Sequence, residues 1–223
     1  MRIAVIIPVL NESLSIQSTL NPLQFWRKRG HQIILVDAES TDDTVQKANG
    51  LVDKVLTSSK GRAVQMNMGA EQVDADILLF LHADTVIDEA ADQLILTALS
   101  TGHSWGRFNI AFNSGKPVFK IIAFMMNIRS CLSSIATGDQ AIFVEKELFE
   151  QVGRYPLQPI MEDIQLSISL KKHSRGFCLK QKVITSCRRW QQNGILKTII
   201  LMWFLRLAYF IGVPASKLKS WYR

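Results

Sequence analysis

The chain has 223 residues, of which 48% are hydrophobic and 20% are charged. This composition excludes a disordered chain, and the length suits one sizeable domain. The N-terminal stretch MRIAVIIPVLNE lacks the cleavage site of a secretory signal peptide, and the three cysteines lack the spacing of a disulfide framework or a zinc site. We therefore expect a globular cytoplasmic protein whose cysteines are reduced.

The net charge of +7 is unevenly distributed along the chain. Residues 164–223 contain twelve Lys and Arg and no Asp or Glu, which gives +12. Residues 1–163 contain fourteen Lys and Arg against nineteen Asp and Glu, which leaves −5. Such asymmetry indicates an anionic partner, which is a phosphate group, a membrane surface or a nucleic acid, unless the basic face only aids solubility.

Apolar runs and helical patterns alternate over the first hundred residues. The predicted strands are Ile3–Val9, Gln32–Val36, Val52–Thr57 and Asp76–Leu81. The predicted helices run from Ser13 or Ser15 towards Arg29, from Ser40 or Thr41 to about Asn49, and over Gly61–Glu71 and Asp88–Leu99. This alternation predicts βαβ units, and hence an α/β fold with a mostly parallel sheet and helices on both faces.

The pattern changes after Gly102. It predicts strands at Trp105–Phe112 and Gly138–Val144, helices at Pro117–Ser130, Glu145–Gln151 and Met161–Lys172, a short antiparallel pair at Phe177–Leu179 and Val183–Ser186, and an apolar helix at Ile195–Ile211. No repeat or Gly/Ser linker divides the chain. We therefore expect one domain over residues 1–223, with a nucleotide-binding half (1–101), an acceptor half (102–190) and a C-terminal helix with a basic tail (191–223).

Polar side chains follow three of the predicted strands. Because the carboxyl ends of parallel strands meet at one edge of a sheet, where ligands bind, we expect these side chains to share a site. A fixed carboxylate there can accept the N–H of a pyrimidine base or the hydroxyls of a ribose, and it can hold a divalent cation that binds a diphosphate. The residues concerned are Pro8, Asn11 and Glu12 after the first strand, Asp37 after the second, and His82 and Asp84 after the fourth.

Several residues further along the chain suit phosphate binding or proton transfer. Arg62 opens a helix, and helix N-termini favour anions. Glu162 and Asp163 also open a helix, where they either complement the helix dipole or include a general base. Arg188 and Arg189 can donate to phosphate oxygens, whereas Trp190 either stacks on a ligand or packs in the core.

With these residues in view, the chain resembles the family 2 glycosyltransferases of the GT-A fold. The resemblance rests on seven segments that span nearly the whole chain in the family's order. It is similar in more detail to a small bacterial subfamily associated with selenium and arsenic sugar metabolism. The segments are IIPVLNE (6–12), VDAESTDDT (36–44), KGRAVQMNMGA (60–70), LLFLHADT (78–85), TGDQAIF (137–143), MEDIQLS (161–167) and CRRW (187–190).

The resemblance implies roles for the residues on the nucleotide side. Asp37 is expected to bind the base of a UDP-sugar, with Pro8, Asn11 and Glu12 closing over base and ribose, and Arg62 on the same side. Asp84 matches the last carboxylate of the family's Asp-x-Asp motif, which binds Mg²⁺ or Mn²⁺ against the diphosphate. His82 stands where that motif has its first Asp, and we expect it not to be a metal ligand.

The resemblance also implies the acceptor side and the reaction. Asp163 matches the catalytic base, with Glu162 beside it, and the Asp139–Gln140 turn matches the acceptor or donor-sugar loop. Arg188, Arg189 and Trp190 match the segment that closes on diphosphate and acceptor. The expected reaction is metal-assisted transfer of the sugar by a single inverting displacement, to a small seleno- or arseno-compound or else to a lipid-linked acceptor.

The apolar segment Ile195–Val213 leaves several structures open. Lys197 and Arg206 interrupt it, which disfavours a membrane span. A helix packed on the domain or in a homodimer, and an interfacial helix on the inner face of an anionic membrane, both fit. A nucleotidyltransferase or a nucleic-acid-binding module fits less well, because the first strand lacks a Gly-rich basic loop and carboxylates at strand ends repel nucleic acid.

Overall fold

A computed structural model of the chain describes residues 1–222. Its strands are β1 (Ile3–Val9), β2 (Gln32–Asp37), β3 (Lys54–Thr57), β4 (Ile77–Phe80), β5 (Thr85–Val86), β6 (Trp105–Phe112), β7 (Ile142–Glu145) and β8 (Phe177–Thr185). Its helices are α1 (Ile16–Lys28), α2 (Thr44–Ala48), α3 (Arg62–Glu71), α4 (Ala91–Ser100), α5 (Pro117–Ser133), α6 (Lys146–Gln151), α7 (Glu162–Lys171), α8 (Arg188–Asn193), α9 (Ile195–Phe210) and α10 (Ala215–Trp221), and a 3₁₀ turn covers Gly138–Gln140.

All eight strands join one sheet in the order β3-β2-β1-β4-β7-β6-β8-β5. Strands β3, β2, β1 and β4 are parallel to one another, as the alternating pattern predicts. Strand β7 runs antiparallel to both β4 and β6, and β8 is parallel to β6. The expected α/β fold with a largely parallel sheet is therefore confirmed, and the antiparallel pairs lie in its second half.

Strand β1 lies at the centre of the sheet and is buried on both faces. Ile3, Val5 and Ile7 point to one face, where helices α1, α4 and α5 supply the opposing apolar side chains. Ala4 and Ile6 point to the other face, which α3, α6 and α7 cover. This alternation is the period of two expected of a strand, and it places the loop after β1 at the edge where β2 and β4 also end.

Side-chain hydrogen bonds hold helix α5 against β6, in the place of the backbone hydrogen bonds that a neighbouring strand would make. The Asn127 side chain accepts the Ile110 N–H at 2.8 Å and donates to the Ile110 carbonyl at 3.0 Å. Arg107, which is buried in β6, donates to the Asn127 carbonyl at 2.7 Å. Burial lowers the pKa of Arg107 to about 10, so the guanidinium stays charged at neutral pH.

The structure corrects three expectations in the second half of the chain. Phe177–Leu179 and Val183–Ser186 do not form an antiparallel pair, because a continuous β8 runs parallel to β6 and a register shift at Phe108/Asn109 absorbs the polar residues between them. The strand expected at Gly138–Val144 begins only at Ile142. The two short elements β5 and α8, and helix α10, were not expected from the sequence.

The cysteines correct a further expectation. Cys131 near the end of α5 and Cys178 in β8 form a disulfide, with Cα atoms 5.8 Å apart, whereas Cys187 is free and buried. The sequence separation of 47 between the paired cysteines gave no framework spacing, because the pairing depends on α5 lying against β6 and β8. Among residues 1–222, no helix is both long and apolar enough to cross a membrane.

Gly106 gives a direct test of the β7-β6-β8 packing. A Cβ at this position would lie 2.5 Å from the Phe177 carbonyl oxygen and would overlap the Phe143 ring. We expect Gly106→Ala to destabilise the protein by about 1–3 kcal/mol, the usual range for overpacking. Differential scanning calorimetry would then show Tm lowered by roughly 2–4 °C per kcal/mol.

The matched control is Gly115→Ala, because no atom lies within 4 Å of a Cβ placed there and its φ is not positive. Its Tm should stay close to that of the wild type. Equal Tm values for the two variants would contradict the strand packing described here.

Candidate active site

Asp37 ends β2 at the carboxyl edge of the sheet and is only 6% exposed. One carboxylate oxygen, Oδ2, accepts the Ser40 N–H at 3.0 Å. The other, Oδ1, is buried and has no hydrogen-bond partner within residues 1–222. A buried carboxylate oxygen without a donor is costly, so this atom marks a place where a ligand N–H or O–H would be stabilised.

The loop after β1 is held against the loop after β2 by hydrogen bonds. Asn11 has a left-handed backbone, with φ of 55°, and its Oδ1 accepts the Thr41 N–H at 2.8 Å. Its own N–H donates to the Ser40 Oγ at 2.9 Å, and the Glu12 N–H donates to the Thr44 Oγ1 at 2.8 Å. Pro8 is buried within β1, paired with Val36 of β2, so it lies behind these loops.

Glu12 connects this loop to the far end of the chain. Both of its carboxylate oxygens lie 3.1 Å from the Arg188 Nη2, and one also accepts the Ser15 hydroxyl at 2.8 Å. Arg188 opens α8, directly after β8. The ion pair therefore closes one side of the crevice at the ends of β1 and β2.

Asp84 follows β4 at the same edge. Burial raises the pKa of its carboxyl, the nearby Glu12 raises it further, and Arg188 and Arg62 lower it. Negative charge at this point is thus only partly compensated by the protein. Within residues 1–222, no cluster of three or more His, Cys, Asp or Glu side chains is arranged to hold a metal ion.

His82 is packed between the end of β4 and the 3₁₀ turn. A Cβ added to Gly138 would lie 2.8 Å from its Cε1 atom, so the imidazole sits directly on that glycine. Burial, assisted by Arg62, lowers the pKa of His82 to about 3, and the ring is neutral at physiological pH. The side chain thus lies between Asp84, two residues along the chain, and the turn whose Gly138 N–H donates to Asp163.

Asp163 lies on the other side of His82, in the first turn of α7. Its Oδ2 accepts the Gly138 N–H at 2.6 Å and its Oδ1 accepts the Ile164 N–H at 2.8 Å. Burial raises the pKa of Asp163 to about 6, the adjacent Glu162 adds to the rise, and the two N–H donors and Arg62 oppose it. Glu162 is itself only 7% exposed, so two carboxylates share a poorly hydrated place.

The 3₁₀ turn adds a third carboxylate to this side. Asp139 accepts the Thr137 hydroxyl at 2.5 Å, and burial raises its pKa while that hydrogen bond lowers it. Gln140 is fully buried and donates to the Ser130 hydroxyl at 2.8 Å, so its amide fixes the turn from inside. The sequence grouped Asp139 with Gln140, but the two differ: Asp163 raises the pKa of Asp139, whereas Gln140 points into the protein towards Ser130.

Arg129 belongs to this group and was not identified from the sequence. Its Nη2 is buried without a hydrogen-bond partner among the described residues. Burial lowers the pKa of its guanidinium, whereas Asp139 and Asp163 raise it, which places the cation beside both carboxylates. A charged residue in the second half of the largely apolar α5 was the signal in the sequence that could have found it.

The RRW segment separates into three different environments. Arg188 reaches Glu12, as described above. Arg189 stacks its guanidinium 3.9 Å above the ring of Tyr222, and Trp190 packs against Phe112 in the core.

Tyr222, near the C-terminal end of the described chain, borders the site. Burial raises the pKa of its hydroxyl, Asp163 and Glu162 raise it further, and Arg189 and Arg62 lower it. No sequence pattern pointed to this tyrosine.

Arg62 joins the two halves of the site. This first residue of α3 acts electrostatically on Asp84, on His82 and on Asp163. The structure therefore brings together most of the site residues predicted from the sequence, on the two sides of His82. The exceptions are Pro8, Gln140 and Trp190, whose side chains pack inside the protein next to the site.

Comparison with known proteins gives this arrangement a family. The model of the family described as Glycosyl transferase family 2 matches residues 4–144. The poly-β-1,6-N-acetyl-D-glucosamine synthase of Staphylococcus aureus is 23% identical over 206 residues, a match that covers 79% of this chain and 47% of the synthase. The chain thus spans about half the length of this curated relative.

Solved structures agree with the fold. Staphylococcus aureus TarS in complex with UDP-GlcNAc matches 83% of this chain and 58% of its own, with 18% identity and a TM-score of 0.67. Glucosyl-3-phosphoglycerate synthase of Mycobacterium tuberculosis, in complex with Mg²⁺ and UDP, matches 95% of this chain and 80% of its own, with 17% identity and a TM-score of 0.66. Because the family model covers more than half of the chain, the protein belongs to glycosyl transferase family 2 and has the GT-A fold.

Proposed function

We propose that the protein transfers a sugar from a UDP-sugar to an acceptor bound beside Asp163. The observation that carries the proposal is the buried, unpartnered Oδ1 of Asp37 at the end of β2. An oxygen in this position suits the imide N–H of a uracil ring, which would otherwise be hard to satisfy away from water. The UDP and UDP-GlcNAc complexes of similar structures support the same donor.

The diphosphate of the donor would lie next to Asp37, over the start of α3. Arg62 stands at that helix N-terminus, where backbone N–H groups and the helix dipole also favour anions. Arg188 is paired with Glu12 and is 44% exposed, so it is accessible to phosphate oxygens of a donor at the same edge. Both arginines then offset the negative charge that develops on the leaving UDP.

A divalent cation fits the site with Asp84 as its protein ligand. Mg²⁺ is commonly held by one or two carboxylates, with waters and substrate phosphates completing its shell, so a three-residue cluster is not required. The raised pKa of Asp84 indicates a carboxylate whose charge the protein leaves only partly compensated. When bound, Mg²⁺ or Mn²⁺ would supply further charge stabilisation to the diphosphate. Similar structures contain Mg²⁺ with UDP or Mn²⁺ with UDP-glucose.

Asp163 is proposed as the base that takes a proton from the acceptor. With a pKa of about 6 it is mostly ionised at neutral pH and is a stronger base than an exposed carboxylate. Its two N–H donors fix its orientation, and Glu162 contributes by raising its basicity. No side chain is assigned to carry the sugar covalently, so we propose a single displacement with inversion at the anomeric carbon.

The acceptor is proposed to be a small seleno- or arseno-compound. The support is the HADT, GDQ and RRW segments together with the unpartnered Nη2 of Arg129, a cation beside the catalytic carboxylates. A lipid-linked acceptor is the second candidate, favoured by the exposed apolar side chains of α5 and α9. We expect the reaction in the cytoplasm or on the inner face of the membrane.

Asp37→Asn tests the uracil contact. The variant keeps the size of the side chain but loses the charged acceptor, so we expect UDP affinity to fall roughly 10- to 100-fold, the value of one charge-assisted hydrogen bond. Isothermal titration calorimetry with UDP measures this change. Asp43→Asn is the matched control, because Asp43 is an exposed carboxylate one turn away that makes no capping hydrogen bond. Equal affinity of Asp37→Asn and wild type would contradict the contact.

Asp163→Asn tests the burial of the catalytic carboxylate through stability. The folded-state pKa of about 6 lies above the usual value of an aspartate, 3.8, so the stability that comes from proton uptake is present at low pH and is lost as the pH rises through 6. At pH 8 this rise of about two pKa units favours the neutral variant by roughly 3 kcal/mol, and the loss of one of the two N–H acceptors of Asp163 offsets about 2 kcal/mol of that gain. The variant should therefore be more stable than wild type by about 1 kcal/mol, or roughly 2–4 °C in Tm. The gain should shrink towards pH 4. A variant that is less stable at pH 8 would count against the assignment.

The same substitution tests catalysis. We expect Asp163→Asn to lose sugar transfer by about 100-fold or more while UDP affinity stays near the wild-type value. The wild-type rate should fall as the pH drops through about 6, because the base becomes protonated. Proton NMR of the wild-type product should show the inverted anomer. Full activity of the variant, or a retained anomer in the first-formed product, would overturn the base or the single displacement respectively.

A further inference from the structure

Helix α5 exposes a continuous apolar stripe that no other part of the described chain covers. Ile121, Phe124, Met125, Ile128 and Leu132 are all exposed, with Leu132 at 74%. Their spacing of three and four residues puts them on one side of the helix. The opposite side, with Phe119, Ile122 and Ala123, packs in the core. The exposed stripe therefore takes no part in the core packing of the described residues.

Helix α9 shows the same arrangement. Leu196, Ile200, Trp203, Phe204, Leu207 and Phe210 are exposed, with Trp203 at 63%, whereas Leu205 and Ala208 on the other side are buried. Trp221 at the end of α10 extends the surface, because its ring lies 5.4 Å from that of Phe204. Most of the exposed large apolar side chains of the described residues belong to these three helices.

The two stripes lie on neighbouring helices. At one end, Val118 of α5 and Ile195 and Ile199 of α9 pack against the same core cluster. At the other end, Ser133 of α5 and Phe210 of α9 line the same cavity, which has a volume of about 590 Å³. Helices α5 and α9 therefore converge at this cavity, and their exposed stripes are together named the α5–α9 face. Exposed apolar stripes of this extent mark an interaction site.

The charges around the α5–α9 face are of one sign. Helices α5, α9 and α10 contain no Asp or Glu. Lys120, Lys197, Lys217 and Lys219 are exposed on them, and Lys171 and Lys172 line the cavity between α5 and α9. Two copies of this face would bring like charges together with no carboxylate to pair them, which disfavours a second copy of the chain. An anionic surface complements both the apolar stripes and the lysines.

We propose that the α5–α9 face docks the protein on an anionic lipid bilayer. The exposed apolar side chains would enter the boundary between headgroups and acyl chains, and the lysines would contact lipid phosphates. The face is also continuous with the site: α9 and α10 pack on Ile160, Met161 and Ile164 at the start of α7, and Tyr222 follows α10. Docking on this face would hold the acceptor side close to the membrane surface.

Co-sedimentation with vesicles tests the docking on the full-length protein and is independent of donor binding. One set of vesicles contains phosphatidylcholine alone, and the other contains phosphatidylcholine with about 30% phosphatidylglycerol. We expect binding to the anionic vesicles at low salt, and tenfold or more weaker binding to the neutral vesicles or at high salt. The double variant Trp203→Glu with Leu207→Glu should lose tenfold or more of the anionic-vesicle affinity, and so should Lys217→Glu with Lys219→Glu.

The matched control is Phe25→Glu with Leu94→Glu, since these are an exposed aromatic and an exposed leucine on α1 and α4. It should bind like wild type, and circular dichroism should show that every variant is folded. The proposal is overturned if wild type stays in the supernatant with both vesicles, or if the control weakens as much as the Trp203 variant. A third outcome also overturns it: wild type sediments as a dimer, and the Trp203 variant sediments as a monomer but binds vesicles as wild type does. That result would assign the face to a second copy of the chain.

Discussion

Three carboxylates share the carboxyl end of the sheet, and burial raises the pKa of each of them. They are Asp84, Asp139 and Asp163. Concentrating negative charge away from water is unfavourable unless cations are placed around it. The fold supplies these cations from three elements, with Arg62 at the start of α3, Arg129 in α5 and Arg188 at the start of α8. The pKa values of the three carboxyl groups nevertheless remain raised. The arginines therefore compensate their negative charge only in part, and a bound ligand can compensate the rest.

The division of the site follows from this constraint. His82 stays neutral and packs on Gly138, so it separates Asp84 from Asp163 without adding charge. Asp84 then faces Arg188 and Glu12, a setting suited to a cation and a diphosphate, while Asp163 faces Glu162 and becomes more basic. Carboxylates whose environments differ in this way take different chemical roles. The difference supports the proposal that Asp84 acts on the leaving group and Asp163 on the acceptor.

The sequence predicted the part of this site that depends on local pattern. Strands β1, β2 and β4 are buried on both faces, so their apolar runs are unmistakable and the polar residues that follow them point to one edge. Arg129 and Tyr222 were missed because only tertiary packing brings α5 and the end of α10 to Asp163. The sequence did not predict the pairing of Cys131 with Cys178 or the continuous β8 for the same reason, because both depend on partners far along the chain.

The proposed transfer depends on an edge, formed by Asp37, Arg62 and Asp84, that binds a nucleotide diphosphate together with a divalent cation. A thermal-shift panel of UDP-, GDP- and TDP-sugars, each with and without Mn²⁺, tests it most directly. We expect a UDP-sugar to raise Tm, Mn²⁺ to enlarge the shift, and the GDP- and TDP-sugars to give smaller shifts. No shift with any UDP-sugar, in the presence or absence of Mn²⁺, would contradict it.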